Sequence, residues 1–552
     1  MSSPYGIPAS ALPPGELWPA RVYLPEQRYP DRLNSTEELL DKQVAAGNGD
    51  RAAILFQDQR ITYAELLSRV NRAGNALRAA GVDEFDRVII RAPNIPDAVT
   101  VNLAAIKIGA VSVPISPLFS GREIVHVAQH CAASALVVFA GMLADVEKVR
   151  ADLPTVKHII VIGGNAGEIT AKGFLPLAAL TGAAGDQLAP VRHHRHDVSV
   201  LLYTSGTSGL PKGTVHLMED PLCIADTFGK YCWRVRADDV ISGPAPMAFA
   251  AGYGAVAAIP FRFGAAASLI ARFTPEDMFE TIQKHRATIL TILPTSYRKM
   301  LQVPDAEKRY DLSSVRMCTG GGEALGAKTF EAWQARFGHP IYEGLGTSEM
   351  FYVFVSAAAT LRPRPGSTGT AVPGYEVRVV SEDGAPARPG EIGRLTVRGP
   401  TGTLYWRDPE RQRVTVRDGW NFVGDFITAD EDGYLWFVSR EDDLIKSSGY
   451  RIGPEEIEDV LKEHPAVADV GIIGVPDPVR GQNTKAYIVL REGALPGPEL
   501  EAQLLAFLRE RIATYKLPRE FAFVPELPRT VTGKLLRRVL RDREKAGAPG
   551  SE

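Results

Sequence analysis

Short apolar runs and amphipathic helical stripes alternate along the first part of the chain, and this alternation restricts the fold more than any other feature. Ala52 to Phe56 is an apolar run. Thr62-Tyr63-Ala64-Glu65 then has capping-box spacing, and Leu66, Val70, Ala73 and Leu77 follow on one helical face. Arg87 to Ile90 reads as a strand, Ala98 to Ile108 as a helix and Val111 to Ile115 as a strand. The pattern continues through Ala135 to Phe139 and Lys157 to Ile162. Strand, helix, strand predicts a parallel α/β sheet covered on both faces.

The chain has 552 residues, too many for one core, and about 100–200 residues per domain implies two to four folding units. From Leu361 to Pro400 the texture changes to Gly, Pro and short alternating runs such as Glu376 to Val380 and Gly393 to Arg398. That texture predicts a small antiparallel sheet or barrel. Ser439-Arg440-Glu441-Asp442-Asp443 is a charged break, which sets the expected domains at residues 1–440 and 441–552. Beyond it, Gly453-Pro454 opens a helix, Ala466 to Val475 and Lys485 to Leu490 read as strands, and Leu500 to Ile512 as a helix. The expected fold class is α/β: a large N-terminal domain of parallel-type sheets with a small β-barrel-like part, then a small α+β C-terminal domain.

Composition excludes several classes of function. Hydrophobic residues make up 45% and charged residues 23%, so disorder does not dominate, and a formal charge of -3 gives no bulk attraction to nucleic acid or anionic membrane. Cys131, Cys223, Cys232 and Cys318 form no C-x-x-C pair, so buried free thiols are expected in place of a zinc site or disulfide framework. Met1 to Pro19 is Pro-rich without a basic start or apolar run, and no stretch reaches the roughly 18 apolar residues of a spanning helix. A cytoplasmic protein is expected. Asn34-Ser35-Thr36 is read as a helix start ahead of Leu39 and Leu40, not as a glycosylation site.

Tyr203 to Gly213, reading YTSGTSGLPKG, follows the apolar run Val198 to Leu202. Glycines allow close backbone approach, hydroxyls and amides donate, and Lys212 adds a positive charge, which suits phosphate. Pro211 before Lys212 and Gly213 after it depart from the Walker pattern. Gly320-Gly321-Gly322-Glu323-Ala324-Leu325-Gly326 misses the dinucleotide fingerprint, because Leu325 stands where the third glycine belongs. Tyr342 to Glu349 ends on a carboxylate that is either a magnesium ligand or a helix-start charge. Asp425 is either a ribose acceptor or a turn aspartate, and Lys534, after Gly533, either a mobile catalytic cation or a solvated charge.

Taken in order over Ser35 to Arg538, these stretches closely resemble the adenylate-forming superfamily of acyl-CoA and aryl-CoA ligases, luciferases and peptide-synthetase adenylation domains. The resemblance implies a two-step reaction with ATP, Mg2+ and coenzyme A. A carboxylate gives an acyl-adenylate and pyrophosphate, and a thiol then gives a thioester and AMP. It implies ATP binding by Thr204, Ser205, Gly206, Thr207, Ser208, Gly209 and Lys212, by Gly322, Glu323 and Ala324, by Glu343, Gly344, Leu345 and Thr347, and by Asp425, Arg440 and Lys534. Lys534, Thr347 and Glu349 would be catalytic, with Glu349 holding the metal. The C-terminal domain would be mobile about Asp442, exchanging Lys534 for a thiol tunnel at Ser448, Gly449 and Tyr450.

By the same resemblance, Phe249, Ala250, Ala251, Gly320, Gly344, Gly346 and Phe351 would line the acid pocket, and small residues beside two phenylalanines suit a flat aryl ring. The wording of the motifs is most similar to benzoate-type and 2-aminobenzoate (anthranilate) CoA ligases. The expected partners are therefore an aromatic acid and CoA or a carrier protein, with no nucleic acid and no membrane, in a monomer or homodimer. The competing readings are a stand-alone adenylation enzyme, a benzoate or medium-chain acyl-CoA ligase, and a silent nucleotide-binding regulator.

Overall fold

The structure, a computed structural model, describes residues 7–205, 210–381, 384–448, 450–529 and 535–547. The chain divides into two compact units, Met1–Val377 with Val397–Asn421, and Arg378–Thr396 with Phe422–Glu552. The second unit therefore takes in short strands that precede the charged break at Ser439 to Asp443.

The first unit is built on two large sheets. In one, seven strands lie in the order Pro211–Leu217, Val198–Ser205, Val111–Pro114, Arg87–Arg91, Ala135–Phe139, His158–Ile162 and Leu175–Pro176. All neighbours are parallel except the first pair. Val88, Ile89 and Ile90 are all buried, as strands covered on both faces must be. The helix Pro96–Lys107 starts on a proline and is buried almost all round, so it is an interior helix without a solvent stripe. Its last residue, Lys107, is a buried cation, paired with Asp41 at 2.5 Å and bonded to Asn71 at 2.7 Å. Burial holds its pKa below the ordinary lysine value.

The other sheet has nine strands. Its middle runs Ile341–Gly346, Met317–Gly321, Ile289–Thr291, Val240–Ser242, Ala266–Ser268 and Ala52–Phe56, all parallel, with antiparallel strands at both ends. Ala52–Phe56 thus does not join the sheet of Arg87–Arg91. It pairs with Ala267 and Ser268 on one side and with the hairpin strand Gln59–Thr62 on the other. The capping box is present: Thr62 Oγ1 accepts from Glu65 N at 3.2 Å, and Glu65 accepts from Thr62 N at 2.8 Å. All four cysteines are free and buried.

The Gly- and Pro-rich stretch supplies Glu376–Val380 and Gly393–Arg398 to a five-stranded sheet completed by later strands, including the antiparallel pair Trp420–Ala429 and Leu435–Arg440. In the second unit a further sheet joins Tyr450–Ile452, Ile445–Ser447, Gly481–Leu490 and Val467–Asp477, with Glu520–Phe523 beside Gly481–Leu490. Helices Pro454–Leu461 and Pro498–Arg509 close its core through Ile457, Leu461, Leu504 and Leu508. Among the described residues, no helix is long and apolar enough to cross a membrane.

Candidate active site

The phosphate-type loop is the turn of an antiparallel hairpin, not the strand-to-helix turn of an open α/β sheet. Thr204 stands opposite Lys212 and Ser205 opposite Pro211, so Lys212 lies on the return strand. Gly206, Thr207, Ser208 and Gly209 lie outside the described residues, and Ser205 is described by its backbone. A Cβ on Gly213 would be crowded, 3.0 Å from the Tyr203 ring and 3.2 Å from Trp406 Cβ, so a side chain there would require these neighbours to shift. Thr204 Oγ1 is buried and has no hydrogen-bond partner among the described residues. A buried hydroxyl left in that state costs free energy unless a ligand completes it.

The turn after Ile341–Gly346 brings Glu349 to the hairpin. Lys212 Nζ lies 2.7 Å from Glu349 Oε1. The Tyr405 hydroxyl donates to the same oxygen at 3.0 Å and accepts from Lys212 Nζ at 3.2 Å. Tyr405 is fixed by its backbone: Val215 N donates to Leu404 O at 2.8 Å, Trp406 N to Gly213 O at 3.0 Å, and Tyr405 N to Gln412 Oε1 at 3.0 Å. Burial, and then the Glu349 charge, push the Tyr405 phenol well above its ordinary pKa, so it remains a neutral donor. No helix starts at Glu349, which sits in a turn where Thr347 Oγ1 accepts from Met350 N at 3.2 Å. Magnesium binds through one or two carboxylates, substrate phosphates and waters, so Glu349, with Lys212 beside it for the phosphate charge, fits such an ion.

Two bare strand ends lie side by side next to this cluster. Gly320 pairs with Glu343 and Gly321 with Gly344, and a Cβ on Gly321 would meet Gly344 O at 2.5 Å. Gly322 has φ +87°. Glu343 and Leu345 are buried and Ala324 half-buried. Glu323 accepts from Thr295 N at 2.6 Å and pairs with Arg298 at 3.4 Å, which fixes its carboxylate.

The stretch Pro246 to Gly252 is pinned by Asn94, whose amide donates to Ala245 O at 2.8 Å and accepts from Met247 N at 2.9 Å. Phe249 and Ala251 are half-buried and Ala250 is buried. Phe351 is fully buried at φ +66°, its ring stacked on His216 at 3.9 Å and 16° and lying 5.0 Å from Tyr253. Phe351 is therefore fully packed, with His216 against one face. Burial pushes the His216 imidazole down to about 3, so it is neutral. Gly346 stays bare because a Cβ would meet Tyr352 O at 2.5 Å.

In the second unit, Asp425 and Arg440 are cross-strand partners with an ion pair of 3.1 Å, Asp425 buried and Arg440 largely exposed. Asp442 lies in the turn that follows. Ser448 has φ +49°, and the exposed Tyr450 stacks on Tyr515 at 4.2 Å. Gly449 and Lys534 lie outside the described residues.

Sequence reasoning missed Tyr405, the partners Asn94 and Arg298, and the ring under Phe351. The one available signal was the polar-tipped aromatic in Leu404-Tyr405-Trp406. A buried group of Glu219, Asp220 and Cys223 has metal-ligand spacing, but Arg21 already bonds both carboxylates, at 3.0 and 2.6 Å.

The family model described as AMP-binding enzyme matches residues 40–406, and that described as AMP-binding enzyme C-terminal domain matches residues 456–534. The chain is 36% identical over 521 residues to a benzoate–CoA ligase of Thauera aromatica, covering 94% of this chain and 97% of that one. It is 32% identical over 524 residues to an acetyl-coenzyme A synthetase of Bacillus subtilis (strain 168), covering 92% and 90%. Among solved structures it is similar to the anthranilate CoA ligase AuaEII in complex with anthranoyl-AMP, at 33% identity and a TM-score of 0.87, covering 94% of this chain and 98% of that one. The chain belongs to the AMP-binding enzyme family and is an ATP-dependent acyl- or aryl-CoA ligase of that family.

Proposed function

We propose that this protein activates an aromatic carboxylic acid, 2-aminobenzoate first among them, and converts it through an acyl-adenylate to its CoA thioester. The observation that carries the nucleotide half of this reading is the Lys212–Glu349 pair beside Thr204, whose buried hydroxyl has no hydrogen-bond partner among the described residues. The aromatic half rests on the bare edges Gly344 and Gly346, the half-buried Phe249, and the similarity to benzoate and anthranilate ligases. An acetyl-coenzyme A synthetase matches at comparable identity, so the pocket and not the family must choose the acid.

In the first step a carboxylate oxygen attacks the α-phosphorus of ATP, the α–β bridging P–O bond breaks, and pyrophosphate leaves. Thr204 through Gly209 and Lys212 cradle the pyrophosphate, and Thr347 meets the α-phosphate. Glu349 holds a magnesium ion, which would supply charge neutralisation at the phosphate oxygens. Gly322, Glu323, Ala324, Glu343 and Leu345 bound the adenine, Asp425 and Arg440 hold ribose and phosphate, and Lys534 donates to the phosphate oxygens as charge builds. In the second step the CoA sulfur attacks the acyl carbonyl, the acyl–AMP bond breaks, AMP leaves, and the thiol proton passes to water. Ser448, Gly449 and Tyr450 form the passage for the thiol arm, with Asp442 as the hinge. An enzyme that consumes ATP and CoA works where both are plentiful, and we place it in the cytoplasm.

The test is thioester formation with ATP, Mg2+ and CoA across benzoate, 2-aminobenzoate, salicylate, 4-hydroxybenzoate, cinnamate, acetate and octanoate, with pyrophosphate release followed in parallel. We expect kcat/KM to peak on 2-aminobenzoate, with benzoate next and the aliphatic acids far below. A maximum on acetate or octanoate would overturn the aryl reading. Pyrophosphate release without thioester would move the acceptor from CoA to a carrier protein.

A further inference from the structure

The Tyr405 side chain bonds to both Lys212 and Glu349, and the function proposed above assigns it nothing. The three polar atoms form a closed triangle: Lys212 Nζ to Glu349 Oε1 at 2.7 Å, Tyr405 oxygen to Glu349 Oε1 at 3.0 Å, and Lys212 Nζ to Tyr405 oxygen at 3.2 Å. The directions of the bonds are fixed by chemistry. An ammonium only donates, so the phenol oxygen is its acceptor, and the phenol proton points at Glu349.

Nucleotide binding must break one side of this triangle. The Lys212 ammonium weakens Glu349 as a metal ligand while the two are paired, and its charge is shared with the carboxylate until it turns to phosphate. When Lys212 leaves, the side from Tyr405 to Glu349 is untouched. The phenol then keeps the carboxylate in one orientation with one of its oxygens occupied.

We infer that Tyr405 is a positioning residue that orients Glu349 for the divalent cation accompanying ATP and holds that orientation when Lys212 transfers from the carboxylate to phosphate. The inference rests on the roles proposed above for Lys212 and Glu349. Tyr405 does not contact the reacting atoms. It acts through Glu349 in the way a hydrogen-bonded partner orients a metal-ligating carboxylate. Its backbone N–H donates to Gln412, and its neighbours Leu404 and Trp406 bond to Val215 and Gly213, which holds this stretch of chain beside the hairpin.

The experiment measures Mn2+ binding to the full-length enzyme with saturating ATP, by electron paramagnetic resonance, for wild type, Tyr405→Phe, Glu349→Gln and the double variant, with melting temperature and the KM for each substrate alongside. Tyr405→Phe removes a single oxygen and is expected to weaken Mn2+ binding about tenfold. The KM for the acid and for CoA should stay unchanged. The double variant should bind Mn2+ no worse than Glu349→Gln alone, because a residue acting through Glu349 has nothing to orient once the carboxylate is gone. Unchanged Mn2+ affinity in Tyr405→Phe, or equal changes in all three KM values, would overturn the inference. Wild-type Mn2+ affinity in Glu349→Gln would instead remove the metal role of Glu349, a separate failure that the single variants tell apart. If Tyr405→Phe melts far below wild type, the double-variant comparison still decides, because both members carry Glu349→Gln.

Discussion

His216 illustrates how a residue with no direct chemical task constrains the site. Its ring is fully buried against Phe351 and lies 4.0 Å from Asp220, itself bonded to Arg21. Burial holds the imidazole down to about 3, against an ordinary value of 6.5. Between those values the unfolded chain binds a proton that the folded chain refuses. The contribution to stability is therefore complete above pH 6.5 and is lost as pH falls toward 3. Replacing His216 with Phe keeps a ring under Phe351 and removes the titration. We expect the melting temperature of that variant to fall less steeply than wild type between pH 6.5 and 4, and parallel slopes would contradict this. Lys212 and Glu349 could be singled out in the sequence because each ends a recognisable small-residue turn, and the structure brings the two together. Tyr405 was not, since its bond to Lys212 spans 193 positions and nothing in a local window records such a contact.

At the scale of elements, periodicity located strands and helices but not their partners. Ala52–Phe56 has the apolar run of a parallel strand, and only the return of the chain at Ala266–Ser268 decides which sheet receives it. The glycines of the phosphate-type loop likewise could not distinguish a hairpin from a strand-to-helix turn, because both need the same freedom of backbone. The helix Arg537–Gly547 is the clearest case of an element held by chemistry outside itself. Arg537 pairs with Asp443 at 3.3 Å, Glu455 at 3.0 Å and Glu458 at 2.8 Å, while Arg541 pairs with Asp443 at 2.8 Å. Burial, the first cause, and the carboxylates of Glu458 and Asp443 push Glu455 up to about 7, against the pull of Arg537. The folded unit holds this proton more tightly than the unfolded chain, so the contribution of Glu455 to stability is greatest below pH 4.5 and declines as pH rises toward 7. In hydrogen exchange on the full chain, Glu455→Gln should flatten the pH dependence of protection in this helix across that window. Arg537→Gln, which leaves buried carboxylates without their cation, should cost about 3–5 kcal/mol of local protection. Protection equal to wild type in Arg537→Gln would show that the apolar contacts of the helix, not the cluster, hold it.

At the scale of the whole molecule, the order of motifs along the chain was more informative than any motif alone. The hairpin, Glu349 and the glycine edges belong to the first unit, whereas Asp425, Arg440 and the residues proposed for the second half-reaction belong to the other. An enzyme that runs one displacement at the α-phosphorus and a second at the acyl carbon must present different groups to the reacting centre in succession. Separating those groups in sequence makes each half-reaction separately breakable. Lys534→Ala should lower pyrophosphate release about 10²–10³-fold, the scale of losing one preorganised donor to a developing charge. Thioester formation from supplied acyl-adenylate and CoA should survive in that variant. Gly449→Leu should do the reverse, because a side chain at a bare backbone position occupies the path of the thiol arm while leaving the phosphate groups untouched. Adenylate would then accumulate on the enzyme with pyrophosphate released and thioester suppressed, measured by trapping the adenylate in a single turnover. Equal loss of both half-reactions in either variant would mean that the two steps share these groups, and the assignment of separate tasks to Lys534 and Gly449 would fall.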